Sequence, residues 1–202
     1  MDYSYLIFIL PAVLLSMWAQ AKVKSSFSKY NKVLSKRNLT GAQAAQLLLQ
    51  KNGISDVKIA HISGTLTDNY NPMNKVLSLS DSTFSSTSIA AIGVAAHETG
   101  HAIQHATGYK PLNFRKLLVP VANIGSRFGP TLVILGIIFG ATAEASSTFA
   151  ICNLITQIGI LLFSLSVLFY LVTLPVEFNA SNRALNVIES TGILSATGAF
   201  VK

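Results

Sequence analysis

The sequence predicts a mainly α membrane protein, with about three transmembrane helices and a small α+β unit on the cytoplasmic side. Three observations carry this prediction. Hydrophobic residues make up 50% of the chain and charged residues only 11%, whereas a soluble domain carries about 25% charged residues. Three apolar stretches approach or exceed the roughly 17–25 residues that a spanning helix needs. Between the first two lies a polar segment whose local signals alternate between helix and strand. With 202 residues, the default is a single unit, 1–202.

The first stretch covers about residues 5–19. No basic residue precedes it, while Lys22, Lys24, Lys29, Lys32, Lys36 and Arg37 follow it with no acid between them. A secretory signal carries its positive charge ahead of the apolar run, so an uncleaved anchor is expected despite the small residues Ala19 and Ala21. The positive-inside rule then keeps the basic segment in the cytoplasm and the N-terminus outside. Such a cluster also suits nucleic acid, but its position against an apolar run is better explained by topology, and no nucleic-acid partner is expected.

The second stretch spans about 117–143 and the third 149–174. They form a hairpin whose short non-basic connection, around Glu144, lies outside. Lys110, Arg115 and Lys116 hold the preceding segment inside, and the chain returns to the cytoplasm near Pro175. Arg127 is expected to snorkel to the interface. Cys152, the single cysteine, has no internal disulfide partner and is expected to be a small packing residue. The spans hold few polar residues and the chain has no internal repeat, which argues against a transporter.

Residues 21–116 form the cytoplasmic segment. Thr40-Gly-Ala-Gln43 has the form of a capping box, and the helix it opens runs through Leu49 towards a stop at Gly53. Residues 57–61 predict a short strand, 68–72 a turn, and 75–80 a half-exposed strand. A Ser/Thr-rich stretch, 82–88, then leads into a helix over 89–105.

That helix contains His97-Glu98-Thr99-Gly100-His101, an HExxH motif. Residues i and i+4 share one face, about 6 Å apart along the axis, so both imidazoles point towards one zinc ion. Such an ion lowers the pKa of a bound water towards about 7. Glu98, next to the first ligand, takes the proton and returns it to the leaving amine. The residues before His97 are apolar and small, and burying this polar set without a partner for its charge is costly. A catalytic zinc has three protein ligands and one open position. His105 lies about 12 Å along the helix from His97 and is too far to share the ion. Glu144 is on the wrong side of the membrane. His61, Glu189 and Glu177 remain, and Glu177, just past Pro175, is the best placed by topology.

The segments AAHETGHAIQH (95–105) and LPVEFNASNRAL (174–185) strongly resemble the bacterial membrane neutral zinc metallopeptidases of the YugP-like family. The likeness covers essentially the whole chain. It implies a zincin-like α+β unit built around the HExxH helix. In the broader group of membrane gluzincins a glutamate in an E-F-x-A-D motif is the third zinc ligand, a role that falls here on Glu177. Ser181 stands where that group has an aspartate supporting a ligand histidine. His105, Ser181 and Arg183 are therefore expected to support the ligands or to contact substrate. Asn69 and Asn71 depart from an Asp-His-Tyr-Asp-Pro turn in relatives. Similar peptidases also hold an extended substrate along the strand beside the zinc helix, which points to residues 77–80. Relatives continue into a further apolar helix, so this chain is expected to be a shortened member or a fragment, with 175–202 supplying the third-ligand helix and tail.

The expected function is a membrane-bound zinc-dependent endopeptidase with one Zn2+ per chain. Its partners are a peptide or protein substrate and the lipid bilayer, and its location is a multi-pass position in a bacterial cell membrane with the site facing the cytoplasm. The alternative is a zinc-binding membrane scaffold without peptidase activity. Oligomeric state, physiological substrate and the depth of cleavage in the membrane stay open in the sequence.

Overall fold

The computed structural model describes residues 4–194. It is mostly helical, with one three-stranded sheet. Helix α1 (Ser4–Asn31) contains the first expected span and continues past it. Lys22, Lys24 and Lys29 therefore lie on this helix rather than in a loop, because no glycine or proline interrupts the chain between Pro11 and Asn31 and lysine is a good helix former.

Helix α2 (Gly41–Lys51) starts with the full capping box. The Gln43 backbone N–H donates to Thr40 Oγ1 at 3.2 Å, and the Thr40 N–H donates to Gln43 Oε1 at 3.0 Å. Gly53, at φ +68°, adopts the left-handed conformation that ends the helix cheaply.

Strands β1 (Lys58–Ile62), β2 (Asn69–Asn71) and β3 (Val76–Ser80) form a sheet in the order β1-β3-β2. β1 runs parallel to β3, with Ala60 opposite Ser78, and β2 runs antiparallel to β3, with Tyr70 opposite Leu77. Two expectations change here. The Asn-rich segment is a strand rather than only a turn, since Tyr70 gives it an apolar residue to lay against Leu77 and Leu79. Residues 77–80, expected to pair with substrate, belong to the central strand, whose neighbours on both sides are β1 and β2. The loop before β2 is tied down by Asp68, which accepts from the Ser80 N–H at 2.8 Å and its hydroxyl at 2.9 Å.

After the short α3 (Asp81–Phe84) comes α4 (Ile89–Ala106), then α5 (Lys110–Ala141) and α6 (Ser146–Thr191). α6 passes through Pro175 without ending, so the third expected span and the segment carrying Glu177 are one helix of 46 residues. Among the described residues, two helices, α5 and α6, are long and apolar enough to cross a membrane.

Contacts divide the chain into two compact units. One comprises the residues up to Ile103 and those from Asn182 onward, and the other is Gln104–Ser181. In the first, Ala44 and Leu48 of α2, Ile92 and Ala96 of α4, and Ala184 and Ile188 of α6 make one apolar cluster. A second cluster joins Leu77 and Leu79 of β3 to Ala45 and Ala95. Alanines at 91, 95 and 96 are fully buried, which explains why the residues before His97 are small.

The second unit is built on the α5–α6 hairpin, connected through residues 142–145. A Cβ on Gly125 would lie 2.1 Å from the Leu162 carbonyl oxygen, and one on Gly129 would lie 3.0 Å from the Gly159 carbonyl oxygen. The two backbones approach closely only because these residues lack side chains, a packing mode favoured between membrane helices. The Ser166 hydroxyl, fully buried, donates across the hairpin to the Ala122 carbonyl at 3.1 Å. Large apolar residues such as Ile137, Phe139, Leu161 and Phe163 face outward. Cys152 is buried in this hairpin, next to Gly136 and Gly140.

Candidate metal centre

α4 is an unbroken helix over its last three turns, and His97, Glu98 and His101 sit on it in the order the motif requires. The rings of His97 and His101 have centroids 4.9 Å apart and are nearly perpendicular, at 87°. His101 is buried, at 8% exposure, and His97 and Glu98 are half-buried. Thr99, on the opposite face, donates its hydroxyl back to the Ala95 carbonyl at 2.8 Å.

Among the described residues, His97, His101 and Glu177 each offer one ligand atom, and these atoms lie within 4.8 Å of one another. Two imidazole nitrogens and a carboxylate oxygen are a donor set that suits zinc. The residues present therefore fit the ion that the motif implies.

His61, Glu144 and Glu189 fall outside this group of three. His61 is exposed on β1, with Nε2 2.7 Å from Asp81 Oδ1 and its ring edge-on to Phe84. The Gly64 N–H donates to the second oxygen of Asp81 at 2.8 Å. These contacts, the Gly64 bond first and His61 second, hold the Asp81 carboxyl below the usual carboxylate range. Glu144 lies in the α5–α6 connection and Glu189 is exposed near the end of α6. His105 is in the last turn of α4, half-buried, and Ser181 and Arg183 are half-buried on α6 one to two turns beyond Glu177.

Two neighbours of Glu177 escaped the sequence reading. Arg115, expected only as a topology charge, has Nη1 3.2 Å from Glu177 Oε1. Gln104, three residues beyond His101 and fully buried, donates to the Val176 carbonyl at 2.8 Å and to Asn179 Oδ1 at 3.0 Å. The sequence holds no local signal for the second, whose backbone partner lies 72 positions away (176 − 104). For Arg115 there was none, since its partner lies 62 positions away (177 − 115).

The family model described as "Putative neutral zinc metallopeptidase" matches residues 5–200 of the chain. The chain is also similar to "Putative membrane protease YugP" of Bacillus subtilis (strain 168), with 44% identity over 190 residues, covering 94% of this chain and 80% of the relative. No solved structure matches it.

Proposed function

From the premise that this chain belongs to the neutral zinc metallopeptidase family, whose model spans nearly its whole length, we propose that it is a membrane-bound endopeptidase hydrolysing peptide bonds with one zinc ion per chain. The observation that carries this is the convergence of ligand atoms from His97, His101 and Glu177. In this reading those three residues hold the ion. Bound there, zinc supplies the Lewis acidity that makes water nucleophilic near neutral pH and polarises a carbonyl.

The chain's own residues do the remainder. Glu98 is adjacent to His97 and half-buried, so its carboxylate takes a proton from the attacking water and delivers it to the amine of the leaving product. Water and the peptide bond are consumed, and a carboxylate and an amine are released. Arg115, beside Glu177, orients that carboxylate. His105, Ser181 and Arg183 are assigned to supporting the ligands or lining the substrate path.

Helix lengths support the membrane setting. α6, with 46 residues, reaches about 69 Å at 1.5 Å per residue, against a hydrocarbon core of about 30 Å. A span over 149–174 therefore leaves the final turns outside the bilayer, with Glu177 at the surface. In this reading the N-terminal part of α1 is a third span, and the lysines at its end favour a site on the cytoplasmic side of a bacterial membrane.

Glu98→Gln tests the assignment. The variant should retain about one zinc per chain and lose peptide cleavage by at least 10²-fold, the lower end of what a general base contributes. Cleavage at the parental rate overturns the role of Glu98. Zinc retained by a parent protein that cleaves no peptide would replace the peptidase with a zinc-binding scaffold.

A further inference from the structure

Pro175 has no N–H and its ring crowds the carbonyl four residues earlier, Leu171. The hydrogen-bond ladder of α6 is therefore weakened two residues before Glu177. A ligand carried just beyond such a break is sensitive to small movements. Turning a helix by about 20° moves a side-chain tip some 5 Å from the axis by about 2 Å, whereas functional sites tolerate about 0.5 Å. Something must fix the turn that bears Glu177.

Gln104 meets that requirement. Its side chain is wholly buried, with 0% exposure. The two hydrogens of its amide go to the Val176 carbonyl, 2.8 Å away, and to Asn179 Oδ1, 3.0 Å away. These acceptors flank Glu177, one residue before it and two after. One is backbone and one side chain, so together they resist both bending and rotation of this turn. Val176 and Ala180 are themselves fully buried on the same face. A leucine would fill the position without the roughly 1–3 kcal/mol liability of an amide that loses its partners. Stability alone gives no reason for the glutamine, and Gln104 lies on α4, the helix that carries both histidines.

We infer that Gln104 is a positioning residue for the metal centre: by gripping Val176 and Asn179 it sets the rotation of α6 at Glu177, and thereby the affinity for zinc. The inference rests on Glu177 being a zinc ligand. It touches neither the ion nor the substrate, so its effect should appear in metal binding.

The test is zinc affinity, measured by competition with a chelator of known strength on the detergent-solubilised full chain, alongside the melting temperature of the metal-free protein. Gln104→Leu and Asn179→Ala are compared with the parent. The expected result is zinc binding weaker by about 10–100-fold in Gln104→Leu, the range seen when groups that orient metal ligands are removed, and a smaller loss in Asn179→Ala. The metal-free melting temperature of Asn179→Ala stays at the parental value. Parental zinc affinity in both variants overturns the inference while leaving the zinc site intact. So does a loss of melting temperature in Gln104→Leu with parental affinity in Asn179→Ala, which marks a packing role only. A parent that binds no zinc overturns the metallopeptidase reading itself.

Discussion

At the scale of single residues, Asp81 shows how an exposed carboxylate outside the metal centre shapes this protein. It accepts from the Gly64 N–H and pairs with His61, so its pKa lies below the usual carboxylate value. Because the folded pKa is depressed, its stabilisation is present above the unfolded value near 3.9 and is lost as pH falls through the lower folded value. Asp81→Asn should therefore melt below the parent at pH 7, and the gap should close as pH drops below about 4. Melting curves from pH 7 to pH 2 check this, and a gap independent of pH would remove the carboxylate from the explanation. Legibility at this scale depended on range. The convergence of His97 and His101 was readable because a spacing of four residues within one helix defines it. Glu177 needed topology and resemblance together, and Gln104 and Arg115 were invisible because their partners lie 72 and 62 positions away (176 − 104 and 177 − 115).

At the scale of elements, the α5–α6 hairpin depends on glycines at its seam. Gly125→Ala would put a Cβ 2.1 Å from a backbone oxygen of Leu162, which has no flexible end to move aside. Such overpacking costs about 1–3 kcal/mol or more, and the thermal midpoint in detergent should fall accordingly. Gly93→Ala on α4 is the control: nothing lies within 4 Å of its would-be Cβ, so this substitution should be neutral or slightly stabilising through chain entropy. Equal losses in both would mean that the close approach at Gly125 is not the cause, since helix propensity by itself favours alanine over glycine. Helices α2 and α4 and strands β1 and β3 were legible because a capping box, apolar periodicity and alternation are local. The order of the sheet was not, since pairing of β3 on both sides is decided by residues brought in from 58–62 and 69–71. Nor was the continuity of α6: Pro175 resembles a stop, yet the helix continues because Val176, Ala180 and Ala184 have buried surfaces to occupy.

At the scale of the whole molecule, composition pointed towards a membrane before any motif did, and α5 and α6 have the length and apolarity to span one. The proposed orientation makes a further prediction. Single cysteines introduced by Lys24→Cys and Ser146→Cys, each in a Cys152→Ala background that removes the native thiol, should respond differently to a membrane-impermeant maleimide on intact cells. Position 146 should label directly and position 24 only after permeabilisation; the reverse pattern would put the site outside the cell. The central claim concerns the metal. X-ray absorption of the zinc-loaded full chain should show two imidazole nitrogens and at least one oxygen at about 2.0–2.1 Å, with Glu177→Gln altering the oxygen shell. A shell holding one imidazole or none, or a sulfur at about 2.3 Å, would contradict a centre built from His97, His101 and Glu177.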